Sequence, residues 1–143
     1  GDVGKTLERV AKHARGWMPW GGRIDQMTEG MAAVKARAAE LGRDPEEMLW
    51  GVGFYGCCTR DKDVIRHELD KIAPYFTLHH DEDLSPEELA DKTLIGTPED
   101  IVRRLERFLD IGVNHFIVKH LPFNGEVESV RLFGREVIPA LRA

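Results

Sequence analysis

At 143 residues, 42% hydrophobic and 31% charged, the sequence suits one domain with a real core. A net charge of −5 offers nothing to nucleic acid or to an anionic membrane surface, and no apolar run approaches the ~20 residues that span a bilayer. The two cysteines, Cys57 and Cys58, are adjacent, and a bridge between neighbours is strained, so free thiols in a reducing cytoplasm are expected.

Leu7, Val10, Ala11 and Ala14 recur at helical spacing and predict a first helix, closed by Gly16. Gly16 to Trp20 reads as a very short buried strand, and Gly21-Gly22 breaks the chain. Ile24, Met27, Met31, Val34, Ala38 and Leu41 form one stripe of a second helix, with Gly42 as its C-terminal stop and Pro45 forbidding continuation. Met48 to Tyr55 is apolar and glycine-spaced, the pattern of a buried strand that something approaches closely. A third helix is predicted from about Asp61 to just before Pro74. The stretch from Tyr75 to Thr93 then reads as a mobile surface excursion holding a short helix that starts at Ser85-Pro86. Thr97-Pro98-Glu99-Asp100 is a helix start with a hydroxyl cap, a proline in the first turn and acids on the positive end of the dipole. Phe116-Ile117-Val118 marks a third buried strand, and a last helix runs from about Val127. Three buried strands alternating with amphipathic helices indicate an α/β fold with a parallel sheet.

Four stretches carry a resemblance. They are Leu7 to Pro19, Gly42-Arg43-Asp44-Pro45, Gly96-Thr97-Pro98-Glu99-Asp100-Ile101, and Ile111-Gly112-Val113-Asn114-His115-Phe116. In this order they resemble the luciferase-like monooxygenase family, which includes deazaflavin-dependent oxidoreductases; Arg15 departs from the family's usual Asp. The resemblance implies a TIM (β/α)8 barrel, of which residues 1–143 would be the C-terminal part, about strands six to eight with their helices, the N-terminal half being absent. It implies coenzyme F420 or FMN as cofactor. The intact enzyme would transfer a hydride or activate oxygen on a small organic substrate, and this chain alone would be inactive.

Catalytic groups of such barrels lie at the C-terminal ends of the strands. On that rule Gly1, Asp2 and Val3 are candidates for the cofactor's phosphate or ribityl chain, and Met18 and Trp20 for one wall of its flat ring. Tyr55 and Cys57 are candidates for the substrate pocket, with inert thiols as the plainer reading; His120 is the candidate proton carrier, with a merely hydrogen-bonded histidine as its plainer reading. Gly4-Lys5-Thr6 is too little of a phosphate loop to count, and His79 to Asp83 reads as a solvated loop with no metal. A rival reading is a non-catalytic α/β module that self-associates. The expected partners are a small-molecule substrate and either the absent N-terminal half or a second copy, with no nucleic acid and no membrane.

Overall fold

Helix α1 (Val3–His13) is joined to α2 (Ile24–Glu40) through β1 (Gly16–Trp17). The Gly-Arg-Asp-Pro stretch works as a compound stop. Gly42, at φ 74, donates its N–H to Ala39, and Arg43 donates to Ala38, closing α2 in a left-handed turn that favours glycine. The Arg43 guanidinium bonds the carbonyls of Val10, Ala11 and Ala14 and so finishes α1 as well. Asp44 accepts from the Glu46 N–H and starts the single turn at Pro45–Glu47. Arg37 of α2 reaches Glu8 of α1 at 2.9 Å, and Lys12 joins that carboxylate at 2.9 Å.

Strand β2 (Leu49–Cys58) follows, then α3 (Lys62–His80), α4 (Pro86–Lys92), β3 (Leu94–Gly96), α5 (Pro98–Asp110) and β4 (His115–His120). The C-terminal segment is α6 (Glu126–Leu132), a π turn over Phe133–Val137, and α7 (Ile138–Arg142). These elements come from a computed structural model that describes residues 3–80, 83–121 and 126–142.

Two units divide the chain, residues 1–53 with 108–117 and residues 54–107 with 118–143, so β2 and β4 each belong to both. In the first unit β1 pairs parallel with β2, Gly16 opposite Leu49 and Trp17 opposite Trp50, and a bridge joins Trp20 to Gly53. Asn114 locks the start of β4, its N–H on the Trp50 carbonyl and its side chain accepting the Trp50 N–H. One face of this sheet is core, where Trp50 and Val52 are buried along with Ala11, Met27, Met31, Val34 and Ala38. In the second unit β3 pairs parallel with β2, Gly56 opposite Leu94 and Cys57 opposite Ile95. There Cys57 is buried in a core with Ile72, Phe76, Leu89 and Ile95, and Tyr55 packs against it.

The alternation of parallel strands and helices matches the sequence expectation, with three differences. Helix α3 passes through Pro74 to His80. A proline inside a helix costs about 3 kcal/mol, which burial of Ile72 and Phe76 on either side of it offsets. The stretch from Tyr75 to Thr93 is thus not wholly a surface excursion, because Phe76, Leu89 and Thr93 are buried. A fourth strand, β3, was not foreseen, since Leu94 and Ile95 are too few to show a period. The final helix is not uniform: Pro139, with no N–H to give and a ring that crowds the carbonyl four residues back, lies one residue past Ile138, the cap of the π turn.

Candidate functional site

Side chains alternate along β2, and that alternation sorts the candidates. In the first unit Leu49, Gly51 and Gly53 share the face opposite the helix-packed core. Met18 lies against Gly51, where an added Cβ would come within 2.9 Å of its Cγ. Trp20 lies so close to Gly53 that a methyl there would overlap its ring. The expected close approach to this glycine-spaced strand is therefore made by these two side chains. Both keep their outer surfaces open, Met18 at 47% and Trp20 at 40% exposure, and Leu49 and Ile117 of the same unit are exposed as well. The result is a low, flat apolar face. Trp17, one residue from Met18, points the other way and fills the notch left by Gly30 of α2.

In the second unit Tyr55 and Lys119 share a face, the Lys119 Nζ standing 5.5 Å from the Tyr55 ring centre. Tyr75 of α3 meets Tyr55 edge to face at 5.3 Å, and the Tyr55 phenol is pushed up to about 12 by burial and by its bond to Tyr75. His79 meets Tyr75 at 4.5 Å with the two rings tilted by 44°. Cys57 and Cys58 are free and buried. Burial pushes their thiols up to about 11 and about 12, so both are protonated at neutral pH. Cys57 is chiefly a core residue, though it also borders a cavity of about 410 Å³ with Cys58, Thr59, Ser129 and Arg135.

His120 turns toward α6. Its Nδ1 is 2.7 Å from the Ser129 Oγ, and Phe133 meets the ring edge-on at 5.2 Å. Burial lowers its pKa below the ordinary imidazole value, so the ring is neutral at pH 7. The plainer expectation, a hydrogen-bonded histidine, describes this environment, and Ser129 and Phe133 are the partners that the sequence could not name. Lys119 of β4 carries no local mark that would put it on the Tyr55 side, since that depends on how β4 pairs with β2. Gly1 and Asp2 lie outside the described residues, and Val3 opens α1. His79 to Asp83 also falls partly outside them. Among the described residues no cluster of His, Cys, Asp and Glu has the makings of a metal site, and no helix is long and apolar enough to cross a membrane.

The family model described as luciferase-like monooxygenase matches residues 2–115, most of the chain. The chain belongs to the luciferase-like monooxygenase family. A curated relative, the F420-dependent glucose-6-phosphate dehydrogenase of Kribbella flavida, is 26% identical over 122 residues, which is 85% of this chain and 34% of that protein. Among solved structures, an F420-dependent secondary alcohol dehydrogenase with an F420-acetone adduct superposes with a TM-score of 0.73 at 20% identity, covering 97% of this chain and 46% of its own. A riboflavin lyase with modified FMN and riboflavin superposes with a TM-score of 0.68 at 15% identity, covering 95% of this chain and 40% of its own. This family member thus shares their α/β fold with parallel strands while spanning less than half the length of each of these relatives.

Proposed function

We propose that this luciferase-like chain is the closing sector, about strands six to eight, of a (β/α)8 barrel oxidoreductase that uses coenzyme F420 or FMN. The observation that carries the reading is the flat apolar face made by Met18 and Trp20 over Gly51 and Gly53. It fits one side of a planar tricyclic ring, because both side chains are seated against backbone and cannot sink further. Bound there, the cofactor supplies hydride transfer, and the intact enzyme acts on a small organic substrate in the cytoplasm. Met18 and Trp20 would hold the ring and keep water off that side of it. Gly1, Asp2 and Val3 are proposed for the cofactor's polar chain. In the second unit Tyr55 is proposed for the substrate pocket, Cys57 being chiefly core there, and His120, neutral and tied to Ser129, is proposed to hold or move a proton.

Titration of the full-length protein with FMN and with a deazaflavin, followed by absorbance and tryptophan fluorescence, tests this. Saturable binding with quenching is expected, and Trp20→Ala should weaken it at least about tenfold by removing a stacking surface. Failure of both cofactors to bind ends the proposal.

The same exposed group of Leu49, Met18, Trp20 and Ile117 favours a second reading, a self-associating module without a cofactor. That reading expects concentration-dependent dimers in sedimentation and no change in them when cofactor is added.

A further inference from the structure

We infer that Ser129 is a positioning residue for His120, holding its imidazole as the Nε2–H tautomer, with Nε2–H left to donate to a ligand oxygen since no partner for it stands among the described residues. Ser129 is 3% exposed on α6 and stands where β2 and β4 end. Its Oγ accepts the Cys58 N–H at 2.9 Å and lies 2.7 Å from the His120 Nδ1. A serine hydroxyl owns one hydrogen and two lone pairs. The Cys58 amide occupies one lone pair, and among the described hydrogen bonds the only remaining partner of the hydroxyl is Nδ1.

Two arrangements are open to that pair. If Nδ1–H donated to Ser129, the serine oxygen would accept twice and its own hydrogen would be buried without an acceptor. If Nδ1 accepts, every polar atom of the trio is satisfied. An unmet buried donor is the costlier state, so the second arrangement holds. The ring proton then resides on Nε2.

Phe133 reinforces this. It lies four residues beyond Ser129, at the first position of the π turn, and its perpendicular contact with the imidazole opposes a ring flip. Cys58 N–H, Ser129 Oγ–H and His120 Nδ1 thus form a short ordered chain from the last residue of β2 to the last residue of β4. Ser129 and Phe133, the partners of the ring among the described residues, carry no charge. The use of Nε2–H toward a ligand rests on the proposed oxidoreductase reading, whereas the tautomer itself does not.

The test is an imidazole nitrogen correlation spectrum of the ¹⁵N-histidine-labelled full chain over a pH series, with His120 assigned by its loss in His120→Gln. The native protein should show His120 protonated at Nε2 alone. Ser129→Ala removes a donor that favours the neutral ring, so the His120 pKa should rise by roughly one unit, and Ser129→Thr should return it. A fall in pKa in Ser129→Ala, or no change, overturns the inference. Should Ser129→Ala not fold, the native spectrum still decides, since a proton on Nδ1 overturns the inference outright. Absence of cofactor binding together with the Nε2–H tautomer would remove the enzyme reading while upholding this one.

Discussion

Strand β2 passes through both units with one alternation of side chains, yet its two ends are finished differently. In the first unit two of the positions facing away from the helix-packed core, Gly51 and Gly53, are glycines, and Met18 and Trp20 lie down over them with much of their surface open. In the second unit the same alternation brings Tyr55 and Cys57, and the residues packed there come from α3, α4 and β3: Ile72, Phe76, Leu89 and Ile95. A strand that carries glycine borrows its surface from a neighbouring strand and stays low and flat. A strand that carries bulky residues needs a roof. The first arrangement suits a surface that receives a flat partner, and the second builds core.

The largest test of this contrast is Phe76→Ala. It empties a buried site in the second unit and should cost about 3–4 kcal/mol by chemical denaturation, with the loss of α3 helicity visible by circular dichroism. A change under about 1 kcal/mol would mean that α3 is not a roof at all. Cys57 gives a chemical version of the same test. With its thiol near 11 rather than the ordinary 9.0, its native alkylation at neutral pH should run roughly a hundredfold slower than that of a free cysteine, and Phe76→Ala should release it.

For the first unit, Gly53→Ala should lift Trp20 off the strand at a cost of about 2 kcal/mol, with a shift in tryptophan emission and weakened cofactor binding. Stability lost with the emission unchanged would show that Trp20 is not what the glycine accommodates. The smallest effect lies on the solvent side. Arg37 first, and then Lys12, hold the Glu8 carboxyl down at about 2. Its folded pKa is therefore depressed, so its contribution is present above the ordinary 4.5 and is lost as pH falls toward about 2. Glu8→Gln should melt slightly below the native protein at pH 7, and the gap should close over that acid window.

Much of this was legible in the chain. The stripe from Ile24 to Leu41 and the Thr97-Pro98-Glu99-Asp100 start are local instructions, and both became the elements expected: Thr97 and Asp100 bond each other's backbone N–H groups as a cap. Gly42-Arg43-Asp44-Pro45 is by its own residues a stop for α2. Its capping of α1 by Arg43 spans about thirty residues of sequence and could not be read locally. Pro74 misled because a penalty is local while the burial that overrides it is not.

The site divides the same way. Composition and alternation placed Met18, Trp20, Tyr55 and His120 near strand ends. They did not say which way each faces across the sheet, because that depends on register, and register is fixed by pairings such as Gly16 with Leu49.

The sequence by itself determined the kind of element at most positions and the parallel α/β class, since periodicity and caps are written between near neighbours, and its four ordered stretches carried the resemblance to the family. Only the tertiary structure decided that Gly51 and Gly53 make room for Met18 and Trp20, that α3 covers Cys57, and that His120 answers to Ser129. Each of these joins residues brought together by packing, and contact between distant positions leaves no local mark on a single chain.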